Sequence, residues 1–320
     1  MTRIEEILPP SDPENDRRVF ESHELRISAS ALGYVCLQWP AISKRFGIVA
    51  PERGLHRLNL SDDDVAKDVA TTFWSYILED YEIIARYLPS SAKTVLDIGC
   101  GCAGIDAAIH VKGSNKNLKY FLIDKSQVSD KFTYGFSRRK RFYASLEVAR
   151  EVLTCNGVEP SNIRLIDATS ELPDISPVDV LLSMHSWGFH YPIEEYLIYA
   201  CMMLDANGVA IIDIRESKND LTPLQACFGR VERIQEHGLR TRVLLAEPKP
   251  LRAVEFIVRN LRDADARQSE QITALEDELQ GRSRQGQTAE TDGAASAPSE
   301  LKPIMQIGRW LRLRLARLWR

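Results

Sequence analysis

The sequence predicts an α/β fold, a doubly wound parallel sheet forming one domain with appendages. Three observations carry this. Residues 93–104 join a short apolar run, Thr94 to Leu96 and Ile98 around Asp97, to a glycine-rich turn, and Ile105, Ala107, Ala108 and Ile109 then begin a helix. Such a run reads as a buried parallel strand opening into a helix. Further short apolar runs follow, alternating with helical patterns. A chain of 320 residues with 44% hydrophobic content has enough material for one such core plus extensions.

The turn itself suggests chemistry. Gly99 and Gly101 flank Cys100; without Cβ atoms they let the backbone turn sharply and come close to a ligand. A dinucleotide fingerprint can be laid on Gly99, Gly101 and Gly104, so an NAD site or a plain structural turn stays open. Asp97 argues for something else, because a carboxylate in the turn suits a cation and repels a pyrophosphate. The run Val-Leu-Asp-Ile-Gly-Cys-Gly, residues 95–101, resembles the first motif of class I S-adenosylmethionine-dependent methyltransferases. The resemblance implies a Rossmann-like, doubly wound seven-stranded sheet of order 3-2-1-4-5-7-6 with the last strand antiparallel. It implies S-adenosylmethionine as cofactor, with Asp97 near its amino group and Gly99, Cys100 and Gly101 against it. One departure is Ala103, where many members of the family have glycine.

Before the turn, residues 1–70 read as a polar arm and a cover. Tyr34, Leu37, Trp39 and Phe46 suggest that part of it packs on the domain, over the site. Residues 73–88 show a helix, with Phe73, Ile77, Tyr81, Ile84 and Leu88 on one face and Pro89 as its stop. After the turn, residues 118–124 read as a strand ending on Asp124. An acid there suits ribose hydroxyls, or a helix cap. A polar loop over 125–138 precedes a helix over 139–156, which Gly157 stops. Ile163–Asp167 reads as the next strand, and the resemblance implies that Asp167 and the following Ala168 lie at the adenine.

Val178–Ser183 is a further strand. It empties into Met-His-Ser-Trp-Gly-Phe-His-Tyr-Pro, residues 184–192. Ser183 falls at the cofactor in the resembled family, and this segment falls beside the reactive methyl. Pro192 starts a helix over Ile193–Leu204, Asn207-Gly208 turns into a strand over Val209–Ile214, and a helix spans 219–229. Val231–Gln235 and Thr241–Ala246 read as a terminal antiparallel pair. The methyltransferase domain is thus expected over 71–250.

The C-terminal part differs in kind. Residues 251–280 hold a charged helix, with a mostly 3-4 apolar spacing from 252 that suits self-association as a coiled coil. Residues 281–300 read as a flexible linker. Residues 301–320 form a basic amphipathic helix with Trp310 and Trp319, suited to an anionic membrane surface. A partner-binding helix or a nucleic-acid patch are the alternatives. The net charge of −4 makes nucleic acid an unfavourable partner overall. The six cysteines form no metal or disulfide spacing, no metal site is expected, and no run reaches the length of a membrane span. A cytoplasmic setting, peripheral on the inner face of the membrane, is the expectation.

Methyl transfer to a hydroxyl profits from a general base, and histidine is matched to that task. His185 and His190 are the candidates, His185 being nearer the strand tip; each could instead pack or brace the turn. The segment after the fourth strand lacks the Asn/Asp-Pro-Pro-aromatic motif of many nitrogen methyltransferases. The run 186–192, with Phe142 to Leu146, is similar to sugar O-methyltransferases of bacterial glycan pathways. That resemblance implies a sugar or glycan hydroxyl as acceptor. Another small molecule or lipid, or an inactive scaffold working through its tail, are the alternatives.

Overall fold

The computed structural model describes residues 18–47, 62–128, 143–170, 172–173, 175, 177–218, 221–256 and 259. The chain divides at Pro250/Leu251 into two compact units. The first described elements of the first unit form an antiparallel hairpin, β1 (Val19–Ser22) and β2 (Leu25–Ser28). The Ser28 hydroxyl accepts the Ala31 N–H at 3.3 Å and so caps α1 (Ala29–Gln38). Every residue from Ala31 to Leu37 is buried. Helix α2 (Pro40–Arg45) follows; the rest of the arm and cover expected over 1–70 lies partly outside the described residues.

Helix α3 runs from Asp63 to Ala85, capped by Asp62, whose carboxylate accepts the Asp64 and Val65 N–H groups. It starts ten residues before the expected helix, because Ala66, Val69 and Ala70 continue its buried face with small side chains. Its stop lies before Leu88, in a turn ahead of Pro89.

The sheet follows. Strands β3 (Thr94–Ile98), β4 (Lys119–Asp124), β7 (Ile163–Asp167), β8 (Val178–Ser183), β9 (Leu204–Ile214), β10 (Phe228–His237) and β11 (Arg240–Pro248) stand in the order β7-β4-β3-β8-β9-β11-β10. In strand rank this is 3-2-1-4-5-7-6. The first five pair in parallel, and β11 runs antiparallel to both β9 and β10. The Rossmann-like sheet expected from the sequence is therefore present, with its last strand antiparallel. Between β4 and β7 in the chain stands a short antiparallel pair, β5 (Gln127–Val128) and β6 (Tyr143–Ala144).

Several boundaries differ from expectation. Helix α4 (Gly104–Lys112) follows the glycine turn. Helix α5 starts at Leu146, not 139, because Ser145 caps it through the Val148 N–H; Phe142 lies outside the described residues. The helix expected over 193–204 is a 3₁₀ turn at Ile193–Glu195 and then α6 (Leu197–Met203). Asn207-Gly208 do not turn the chain into β9: they lie in a bulge within it, since Val178 pairs with Leu204 and Val180 with Val209. Helix α7 spans only Thr222–Cys227, and β10 begins at once. Helical backbone starts at residue 250 and is described to residue 256. The coiled coil expected over 252–280 lies mostly outside the described residues; the linker 281–300 and the basic helix 301–320 lie wholly outside them. Among the described residues, no helix is long and apolar enough to cross a membrane. All six cysteines are free thiols.

Candidate functional site

Parallel strands deliver their C-terminal tips to one edge of the sheet, and ligands of open α/β sheets bind there. Asp97, Asp124, Asp167, Ser183, His185 and Asp213 all sit at or just beyond such tips. Between β3 and β8 the strand order reverses direction.

The glycine turn is held in a tight form. Gly99 and Gly101 have φ of 79° and 56°, in the left-handed region that glycine enters without strain. A Cβ on Gly99 would lie 1.9 Å from Ser186 Oγ, and one on Gly101 would lie 2.7 Å from Gln38 Oε1. The turn is thus roofed by the loop after β8 and by the end of α1. Ala103 also takes a left-handed φ, 53°, at the position where the resembled family often has glycine. Gly104 serves packing instead: its Cβ would meet Phe73 and Ile77 of α3 at 2.7 and 2.9 Å.

Three acids surround this turn. Asp97 is 2% exposed and Asp106, in the first turn of α4, is fully buried. Asp97 Oδ1 and both Asp106 carboxyl oxygens find no donor elsewhere in the fold. Burial pushes the Asp97 carboxyl well up, and Asp106 and then Asp124 push it further. Burial likewise pushes Asp106 up to about 6. Asp124 is pushed up to about 6 by burial, against the pull of two amides: Gly101 N–H donates to its Oδ2 at 2.8 Å and Lys125 N–H to its Oδ1 at 2.7 Å. Buried Cys100 has its thiol raised by burial and by the same three acids, so it stays a neutral small side chain.

The other expected cofactor residues are less free. Asp167 accepts the Thr169 N–H and hydroxyl at 2.7 and 2.6 Å, forming a local turn. Ala168 N–H donates to the Asp124 carbonyl at 2.8 Å. Ser183 is fully buried; its hydroxyl donates to the Ile98 carbonyl at 2.7 Å and accepts the Trp187 N–H at 2.9 Å. It therefore ties the tip of β8 to the tip of β3.

The 184–192 segment is a braced loop. Fully buried Trp187 donates from Nε1 to the Ile193 carbonyl at 2.6 Å. Gly188 N–H donates to Tyr191 O at 3.0 Å, and Arg215 N–H to Gly188 O at 3.0 Å. His185 has φ of 58°, a conformation a histidine holds only under constraint. Its N–H donates to Asp213 Oδ2 at 3.3 Å, and its Nδ1 faces the same oxygen at 3.7 Å. Its Nε2 lies 3.3 Å from Arg240 Nη1. A guanidinium can only donate, so Nε2 accepts and the ring proton belongs on Nδ1, toward Asp213. Burial keeps the imidazole pKa low; Asp213 pulls it up while Arg240 opposes. His190 lies with its ring edge against Phe189 at 5.0 Å between centroids, and its N–H donates to Ser186 O at 2.8 Å.

Behind His185 stands a buried ion network. Arg242 grips Asp213 through Nε at 2.8 Å and Nη2 at 3.1 Å, and both side chains are fully buried. Asp80 of α3 meets Arg242 at 3.0 Å and Arg240 at 3.1 Å. Burial would raise Asp213, but Arg242 holds it below the usual carboxylate range. In front of His185 stand aromatic rings. Trp39 lies edge-on to it at 5.9 Å and stacks on Tyr76 at 5.7 Å; Phe189 stands edge-on at 5.3 Å, with Arg215 over its ring at 4.4 Å.

Asp106, Asp213, Arg240 and Arg242 carry the site's electrostatics and were not expected from motifs. A signal existed for two of them. Asp213 is the lone charge in the run Val209–Ile214, and Asp106 is a lone acid between Ile105 and Ala107. A charge alone in a buried run needs a partner or a ligand. Among the described residues, no cluster of His, Cys, Asp and Glu could hold a metal ion.

No protein-family model matches the chain, and no curated protein matches it. Among solved structures the likenesses are remote. A protein of Nostoc punctiforme PCC 73102, provisionally described as an O-methyltransferase, is 14% identical over 68% of this chain and 72% of its own, with a TM-score of 0.40. A 16S rRNA N2 methyltransferase of T. thermophilus, in complex with AdoMet and guanosine, is 13% identical over 54% of this chain, with a TM-score of 0.37. Coclaurine N-methyltransferase, bound to N-methylheliamine and SAH, is 17% identical over 44% of this chain, with a TM-score of 0.31. The chain spans 42% and 35% of the last two. These scores are too low to carry a functional conclusion, which rests on the chemistry of the site.

Proposed function

We propose that the protein is a methyltransferase that uses S-adenosylmethionine and methylates a hydroxyl of a small acceptor, of sugar or glycan type. One observation carries the cofactor reading. Asp97 is buried at a glycine turn with a carboxyl oxygen that no donor in the fold satisfies, and acids without a cation surround it. A site with that charge fits a ligand ending in an ammonium and repels a pyrophosphate. The two glycines keep the turn tight beneath Ser186 and Gln38, so a ligand lying on that backbone has to move these two side chains aside.

Bound S-adenosylmethionine supplies an electrophilic methyl, whose transfer to a hydroxyl oxygen releases one proton. Asp97 would hold the ammonium end, Gly99, Cys100 and Gly101 the turn beneath it, Asp124 the ribose, and Asp167 with Ala168 the adenine. His185 Nε2 takes the proton from the acceptor hydroxyl. Its neutral state suits a base, and Asp213 steadies the ring through the Nδ1 side. The acceptor hydroxyl must displace Arg240 from Nε2 to reach it. Half-buried Trp39, edge-on to His185, is the aromatic ring nearest the base of the kind that packs on a sugar ring. His190 is the second candidate base.

Calorimetric titration with S-adenosylmethionine and S-adenosylhomocysteine tests this. The native chain should bind both, and Asp97→Asn should weaken both by about 100-fold, the scale for losing one partner of a buried charge pair. Absence of binding by the native chain overturns the reading. Residues 301–320 are held to contact an anionic membrane surface, and 252–280 to mediate self-association. Equal sedimentation with anionic vesicles by the full chain and by one ending at residue 300 would remove the first, and a monomeric full chain the second.

A further inference from the structure

A buried acid without a partner is unusual, and both Asp106 oxygens and one of Asp97 lack a donor, while the two carboxyls lie within hydrogen-bonding reach of each other. Neither carboxylate can donate to the other. Only a proton held between them can join the pair, and burial makes two adjacent ionised carboxylates unfavourable. The groups that bear on the pair are known from each side. From β4 come Asp124 and the Tyr120 phenol; from the glycine turn comes the Cys100 thiol. The Tyr120 hydroxyl is itself buried and without a partner. All of these are acids or neutral groups, so the charge that balances the pair has to come from a proton or from a ligand.

We propose that Asp106 is a further residue of the cofactor site, sharing one proton with Asp97 and releasing it to solvent when the ligand's ammonium group takes its place. This rests on the cofactor reading above and adds a second carboxyl and a proton to it. The exchange keeps charge in balance: one ammonium charge arrives beside Asp97 as one proton leaves. Binding is therefore linked to pH. The ligand prefers the deprotonated pair, so affinity rises with pH through the range in which the free pair still holds its proton. The rise reaches about tenfold per pH unit where one proton is released. Asp106 acts through Asp97, as a positioning residue that sets the proton count. In Asp106→Asn, the amide donates to Asp97 as the shared proton did, so Asp97 ionises without the ligand and the linkage weakens.

The test is calorimetry of the full chain at pH 7 in buffers of differing ionisation enthalpy, with S-adenosylmethionine and with S-adenosylhomocysteine. The slope of heat against buffer enthalpy counts the protons. We expect about one proton released per ligand by the native chain, with both ligands, because both carry the ammonium. Asp106→Asn should release well under half a proton, and its affinity should vary little between pH 6 and 8. Binding by the native chain without proton release overturns the inference while leaving the cofactor reading intact. Release with S-adenosylmethionine alone also overturns it, since the sulfonium would then be the displacing charge. No binding of either ligand removes the cofactor reading and this inference with it. If Asp106→Asn fails to fold, the count on the native chain still decides.

Discussion

Two groups of acids, all buried except half-buried Asp124, stand near one edge of the sheet, and the fold treats them in opposite ways. Asp80 and Asp213 are matched by Arg240 and Arg242, with contacts at 2.8–3.1 Å, so the group is neutral within itself. Asp97, Asp106 and Asp124 have only backbone amides and one another. The same residue type at similar burial therefore shifts in opposite directions: Asp213 below the carboxylate range, Asp97 well above it. Where the chain supplies its own cations the acids brace structure. Where it supplies none, the balance is left to something that arrives from outside.

The largest expected effect breaks the matched group. Asp213→Ala leaves the fully buried Arg242 facing only Asp80, and should cost about 3–5 kcal/mol in denaturant unfolding. A loss under about 1 kcal/mol would mean the two groups do not differ as described. A smaller effect sharpens the contrast through pH. Asp97 and Asp106 have raised values in the fold, so their contribution is complete below about pH 4 and is lost as pH rises through about 6 and beyond, at about 1.4 kcal/mol per unit for each proton at issue. Asp213 is lowered, so its contribution is present above about pH 4 and is lost as pH falls further. His185 is lowered too, so its contribution is lost as pH falls from about 6.5. Denaturation midpoints from pH 4 to 8 should show Asp106→Asn gaining on the native chain toward pH 8. Parallel curves for the two chains would contradict the raised pair.

Much of this was legible in the sequence. The strands Ile163–Asp167 and Val178–Ser183 were read to the residue, because each is a short apolar run closed by a polar group. The glycine turn and its acid were legible because few residue types can do what Gly99, Gly101 and Asp97 do there. The start of α3 was missed, since its buried face begins with Ala66, Val69 and Ala70, too small to stand out as a stripe. The bulge in β9 was read as a turn because Asn207-Gly208 carries turn chemistry in either setting. The arginines were invisible for a different reason. Arg240 and Arg242 alternate with Thr241 along β11, and a strand pattern of that kind reads as a solvated face; only the tertiary position of Asp80 and Asp213 makes it an interior one.

The Ser183 hydroxyl takes one hydrogen bond, from the Trp187 N–H, and gives its single proton to the Ile98 carbonyl. The strand that leads into the glycine turn and the loop that carries His185 are thereby fastened at a single buried point. Whatever displacement the sheet edge undergoes, the two sides move as one piece across that fastening. Under the proposed function, the spacing between donor and acceptor would then be a property of the scaffold, set before either molecule arrives. A displacement reaction, intolerant of errors of even about 1 Å in alignment, gains most from such a fixed gauge.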